Sequence, residues 1–143
     1  FGSQNDALRT GFIPLARFIG SNNKASKKIS MTVPVIQRKG ETSENWFVSF
    51  SMPSKYTLKT LPKPNQKELI QDQVSESLMA VIKFNGVARK DVLDLNEKKL
   101  REWVKKIGYL TVGEVQYYFY NDPLTPGVFR RNEVLLEVSK IKE

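Results

Sequence analysis

The sequence predicts an α+β fold made of two strand–helix–strand–strand halves. Two amphipathic helical segments are each followed by a pair of strands, and strands also precede the second helix. Apolar residues recur every three to four positions in the helices and alternate in the strands, as each element requires. The first half lacks its opening strand or strands, so we expect these to lie upstream of Phe1.

The first helix shows the clearest periodicity in the chain, an apolar stripe of Leu8, Phe12, Leu15 and Ile19. Asn5 or Asp6 can cap its start, and Gly20 ends it. Pro14 predicts either a kink or a regular part that begins only near Phe12.

Six segments alternate apolar and polar residues and are predicted as strands. They span 29–38, 46–52, 68–74 and 78–84 before the second helix, and 115–119 and 133–138 after it. Asp94 and Glu97 resemble a capping box at the start of that helix, and Gly108 stops it.

Composition excludes several classes of function. The 143 residues contain neither cysteine nor histidine, which excludes serine–histidine catalysis within this chain, disulfides and thiolate metal sites, and the histidine ligand usual for heme iron. We therefore expect no catalysis and no metal site of cysteine or histidine ligands, and the enzyme that this composition leaves open is a hydrolase that works through a carboxylate and an ordered water. A chain without cysteine suits a reducing compartment, so a cytoplasmic location is expected.

Charge and hydropathy limit the classes of binding partner that the sequence favours. The net charge of +8 favours anionic partners, but the basic residues are dispersed, so nucleic-acid binding is not favoured. No apolar run approaches eighteen residues, and no membrane span is expected. The oligomeric state is not predicted.

The first helix offers a candidate ligand surface. Arg9 and Arg17 differ by roughly 80° around the axis, so both can flank one side of the apolar stripe that contains Phe12 and Leu15. Such a face could hold a flat apolar ligand with carboxylates, or it could pack on a sheet as an ordinary helix does.

The order of several motifs resembles the SOUL/heme-binding protein family. The motifs are DALR…LARFIGSNN, KISMTVPV, VSFSMPSKY, LPKP, VIKFNG and FRRNEVLLEV, and they extend over nearly the whole chain. The resemblance implies a single domain over residues 1–143. Its fold would be a pseudo-duplicated, distorted antiparallel β-barrel or strongly curved sheet with two helices, and strands would precede the first helix.

The resemblance also implies a function and a site. It implies non-catalytic binding of heme or a related tetrapyrrole against the first helix, with Arg9 and Arg17 near the propionates and Phe12, Leu15 and Ala16 beneath the ring. Without a histidine, the iron would rely on packing, or on weaker ligands such as a tyrosine or Met31, Met52 or Met79.

A second function follows from fold analogy. The duplicated plan is similar to the effector-binding domains of gyrase-inhibitory-protein-like regulators, which bind small organic molecules between their halves. The ligand would then sit near Tyr118 and Trp46. Tyr118 and Tyr120 share one face of their strand, which either packs in the fold or stays open to stack a planar ligand.

Overall fold

The computed structural model describes residues 3–42, 44–121 and 124–142, which form two α-helices and one five-stranded sheet. In chain order the elements are α1 (Gln4–Ile19), β1 (Val35–Lys39), β2 (Trp46–Phe50), β3 (Met79–Asn85), α2 (Lys90–Lys106), β4 (Tyr109–Phe119) and β5 (Arg131–Lys140). A 3₁₀ turn, Gly127–Phe129, precedes β5.

The sheet has the order β2-β1-β4-β5-β3, and its neighbouring strands are antiparallel. The two halves meet where β1 pairs with β4. In the second half β3, which precedes α2, covers the outer edge of β5, whereas within the described ranges no strand covers the matching edge of β2. This confirms the α+β fold, with a sheet that stays open and does not close into a barrel. The strand or strands expected ahead of α1 stay a prediction.

Both helices pack on the same face of the sheet, here called the helix-covered face. Strand register places Gln37, Val48, Tyr117 and Val134 on this face. The main core lies between it and α2, and it includes Leu93, Leu100, Val104, Val115 and Leu136. A smaller apolar cluster of Phe18, Ile19, Ile29 and Leu61 lies at the end of α1.

The opposite, helix-free face carries Ile36, Tyr118, Glu133 and Leu135. Leu135 is nevertheless only 5% exposed and Glu133 only 7%. Neighbouring strands and side chains must therefore shield this face in place of a helix.

Several predicted boundaries are wrong. The cap of α1 is Ser3, whose Oγ accepts from Asp6 N at 3.3 Å, and the helix continues through Pro14, so its regular part does not begin at Phe12. The capping box at Asp94 is also wrong: α2 begins at Lys90, whose ammonium pairs with the Asp94 carboxylate one turn later.

Two predicted strands are shorter or absent. Pairing in the 29–38 segment begins only at Val35, since Pro34 has no N–H to donate to a ladder. The 68–74 segment forms no strand, and its Ile70 and Val74 are 85% and 90% exposed. The apolar residues of this segment alternate as in a strand, but no neighbouring strand among the described residues pairs with the segment, so they are not buried.

Candidate ligand-binding site

A polar pair and a glycine fix the position of α1 on the sheet. Gln4 Nε2 donates to Gln37 Oε1 at 3.2 Å, and Gln37 Nε2 donates to the Gln4 carbonyl at 2.8 Å. Both side chains are buried, so these bonds satisfy amides removed from water. Gly11 faces Val48, whose Cγ2 would lie 2.6 Å from a Cβ at position 11. The absent side chain lets α1 approach β2 closely.

The five predicted ligand-binding residues divide between two sides of α1. Arg9 and Arg17 are exposed, whereas Phe12, Leu15 and Ala16 are half-buried where the helix meets its packing partners. The structure therefore brings the three apolar residues to one border of α1 and leaves the arginines on its solvent side.

Arg9 and Arg17 lie on one exposed stripe with Ile13 between them. Ile13 is 44% exposed, and spacings of four residues align all three along the helix. Within the described part of the chain, neither guanidinium group forms an ion pair with a carboxylate. The helical rise separates their Cα atoms by about 12 Å. Both groups are therefore available to carboxylates of a ligand lying along α1.

An apolar cleft opens beside the C-terminal half of α1. It lies between α1, the end of β2 and the 61–72 segment, and it is partly open to solvent. Its lining consists of Leu15, Phe18, Phe50, Met52, Leu61, Pro64, Leu69, Ile70, Gln71 and Asp72. Leu15 lines the cleft directly, and Phe12 packs edge-on against Phe50 with ring centroids 5.2 Å apart. Two predicted residues therefore border a concave apolar surface.

The outer wall of this cleft was missed by sequence reasoning. The sequence predicts a strand at 68–74 and assigns it no role in binding. The available signal was Leu69–Ile70, an apolar pair between charged and amide residues. Ile70 is 85% exposed beside the cleft, where burial by a ligand would be favourable.

Asn23 organises the turn that follows α1. Its Nδ2 donates to the carbonyls of Phe18 at 3.0 Å and Lys27 at 2.8 Å. Its Oδ1 accepts from the amides of Ala25 at 3.2 Å and Lys27 at 3.1 Å. These four bonds satisfy a side chain that is only 2% exposed. The bridge from Asn23 to Pro64 ties this turn to the wall of the cleft.

The structure separates the candidate iron ligands. Met52 lines the cleft beside α1, Met31 is 49% exposed, and Met79 lies in a different groove. Of the three thioethers, only that of Met52 belongs to the cleft. Thioethers ligate heme iron in some proteins, so this donor is chemically compatible with a heme.

Tyr56 packs against the small apolar cluster at the end of α1. Its hydroxyl is buried, and no hydrogen-bond partner for it lies within the described residues. The ammonium groups of Lys27 and Lys55 lie 5.5 Å and 5.3 Å from its ring centroid. A buried hydroxyl without a partner is costly. Tyr56 is not part of the cleft lining, but the cluster against which it packs shares Phe18 and Leu61 with the cleft.

The helix-free face contains a buried carboxylate. Glu133 pairs with Arg131 through Oε1 and accepts from the Tyr120 hydroxyl through Oε2 at 2.8 Å. The Arg131 guanidinium lies 4.4 Å from the Tyr120 ring centroid. Burial, and then the hydrogen bond to Glu133, raise the pKa of Tyr120 to about 12. Glu133 is therefore the local ion-pair partner of Arg131.

The expected site between Tyr118 and Trp46 is wrong. Trp46 packs with Tyr117 on the helix-covered face, with ring centroids 6.2 Å apart, while register places Tyr118 on the helix-free face. The sheet therefore separates the two residues. The prediction that Tyr118 and Tyr120 share one face is confirmed, since Tyr118 pairs with Glu133 and the Tyr120 hydroxyl donates to the same residue.

The chain belongs to the SOUL heme-binding protein family, whose model matches residues 2–137. No curated protein matches the chain. Neither helix of the described residues is long and apolar enough to cross a membrane. Across the same residues, no three acidic side chains gather into a group that could hold a metal ion.

Proposed function

We propose that this protein binds heme or a related tetrapyrrole, without catalysis, along α1 and the adjoining cleft. The observation that carries the proposal is that one helix borders an apolar cleft and also carries two exposed arginines on its solvent side, neither of which forms an ion pair among the described residues. A tetrapyrrole has the matching chemistry, since its ring is flat and apolar and its propionates are anionic. Membership of a heme-binding family supports the same ligand class.

Each residue has a distinct role in this proposal. Arg9 and Arg17 hold the propionates, and Phe12, Leu15 and Ala16 contact the ring. Met52 is the thioether available to iron, and because it is a weak ligand we expect metal-free porphyrin to bind as well. A bound heme supplies the chromophore and the iron, while the protein supplies packing and charge.

Titration of hemin into the protein tests the residue assignment. We expect a saturable Soret shift, and about a tenfold loss of affinity in Arg9→Ala/Arg17→Ala, since each exposed charge pair contributes up to about 1 kcal/mol. Lys98→Ala/Lys105→Ala, which removes the same charge from the solvent side of α2, is the matched control. Equal hemin affinities of the two double variants would contradict the assignment of Arg9 and Arg17 to the propionates. The lack of any saturable Soret shift would contradict heme binding itself.

A small-molecule effector site on the helix-free face is the second candidate. Glu133 favours it, because a carboxylate only 7% exposed lies there beside Tyr118 and could attract an aromatic cation. Arg131 already neutralises this carboxylate, so a ligand would have to displace it and this function ranks second.

A dye-displacement screen with organic cations tests the second candidate. Binding that Glu133→Gln abolishes and Arg9→Ala/Arg17→Ala leaves intact would assign the function to the helix-free face. Loss of binding in Arg9→Ala/Arg17→Ala alone would assign the binding of these cations to α1.

We also propose a cytoplasmic location, supported by the absence of cysteine.

A further inference from the structure

A second apolar groove lies in the other half of the molecule. It runs between the last turns of α2 and the sheet, is partly open to solvent, and is lined by Leu78, Ala80, Trp103, Ile107, Tyr109 and Val138, among others. Trp103 and Leu15 occupy matching positions, each five residues before the glycine that follows its helix. The duplication has thus given each half a cleft beside the end of its helix.

The groove is incompletely covered. Leu78 is 55% exposed, Trp103 50% and Ile107 44%. An indole and two aliphatic side chains left half in water along one groove favour an apolar occupant, because covering them removes apolar surface from water.

Three lysines surround this groove. Lys99 and Lys106 lie four residues before and three residues after Trp103, on its solvent side, and register places Lys140 opposite Tyr109. All three are exposed, and within the described ranges none forms an ion pair. Glu102 is the neighbouring carboxylate on this part of α2. The rim therefore has a positive balance.

We propose that this groove binds a single-chain amphiphile with an anionic head, such as a long-chain carboxylate. The chain lies against Trp103, Ile107 and Leu78, and the head lies among the lysines. An apolar trough with a cationic rim is complementary to this chemistry, whereas an uncharged chain would leave the lysines without a partner. The site is separate from the tetrapyrrole site on α1 and does not depend on it.

Nuclear magnetic resonance of the wild-type protein tests this, because the chain has two tryptophans. Dodecanoate, added below its micelle concentration, should shift the indole N–H signal of Trp103 saturably and leave that of Trp46 in place. Trp103→Phe assigns the signals. Dodecanol should bind at least tenfold more weakly than dodecanoate.

Charge reversal supplies the matched comparison. Lys106→Glu/Lys140→Glu should weaken dodecanoate binding at least tenfold, while Lys98→Glu/Lys105→Glu, on another side of α2, should leave it within twofold. Thermal unfolding checks that both variants fold, and Leu78→Glu is a second groove variant, at an exposed position, that should also block binding.

Three results would overturn the proposal. They are equal affinity for dodecanoate and dodecanol, equal effects of the two charge-reversed variants, and shifts seen with anionic lipid vesicles but not with free dodecanoate. Retention of dodecanoate binding in Arg9→Ala/Arg17→Ala would show that the groove acts independently of α1.

Discussion

A single residue behind the cleft lining, Tyr56, offers a sharp test of what α1 binds. Tyr56 is informative because its hydroxyl is buried without a partner in the described chain. A purely structural tyrosine would gain from losing that group, whereas a tyrosine that meets a ligand or a ligand-bound water would lose affinity.

We expect Tyr56→Phe to leave the free energy of unfolding unchanged or raise it by about 1 kcal/mol, because it removes an unsatisfied polar group. Hemin affinity should fall if the hydroxyl contacts the ligand. Chemical denaturation and a Soret titration measure the two quantities separately. A loss of stability without a loss of affinity would show that the hydroxyl has a structural partner, such as water.

Glu133 shows how a residue can suggest function and still serve structure. Its carboxylate is buried, yet Arg131 and Tyr120 satisfy both oxygens. Arg9 and Arg17 show the reverse, since they are exposed and unpaired in the described part of the chain. Exposed, unpaired cations cost little in the free protein and remain available to an anionic ligand.

At the scale of elements, the placement of α1 against β2 determines whether the cleft exists. The helix is held by Gln4 at its start and by the close contact of Gly11 with Val48. Residues 61–72 then close the far side. A small shift of α1 would therefore alter the cleft, because Leu15 and Phe18 of this helix line it.

We expect Gly11→Ala to destabilise the protein by about 1–3 kcal/mol through overpacking against Val48, despite the better helix propensity of alanine. Hemin affinity should fall with it, because α1 must move away from β2. Gly11→Ala/Val48→Ala should recover part of both losses, and Thr10→Ala, at an exposed neighbour, is the control. Equal stability of Gly11→Ala and wild type would contradict the close contact.

At the scale of the whole molecule, β4 carries tyrosines into both faces of the sheet. On the helix-covered face, burial and the nearby Glu97 raise the pKa of Tyr117, whose hydroxyl donates to Glu97 at 3.0 Å. On the helix-free face, burial and then the nearby Glu133 raise the pKa of Tyr118. Burial and then the hydrogen bond to Glu133 raise the pKa of Tyr120, just beyond the end of β4, to about 12. Both sides of the central sheet thus favour protonated tyrosine.

This arrangement predicts a loss of stability at alkaline pH. A raised pKa means that the folded state holds the proton more tightly, so this stabilisation is complete below a pH of about 10 and is lost as the pH rises towards about 12. Denaturant unfolding between these values should show a shallower decline in Tyr120→Phe than in wild type. Identical slopes would show that Tyr120 does not contribute.

The sequence by itself determined the helices, most strands and the duplicated plan. Periodicity encodes these locally: Leu8, Phe12, Leu15 and Ile19 mark a helix whatever it packs against. The motifs also identified the family and placed two arginines beside an apolar border on α1. Two predictions from local patterns are wrong. Residues 68–74 form no strand because no other strand of the described residues pairs with them, and the capping pattern at Asp94 lies inside α2 and not at its start.

Only the tertiary structure decided which faces of the elements meet. It put Trp46 and Tyr118 on opposite sides of the sheet, because facing depends on register between strands distant in sequence. It formed the cleft from α1, β2 and residues 61–72, which no local pattern connects. Among the described residues it also left Arg9 and Arg17 without an ion pair and Trp103 half-exposed, since burial and ion pairing depend on what the whole chain brings alongside each residue.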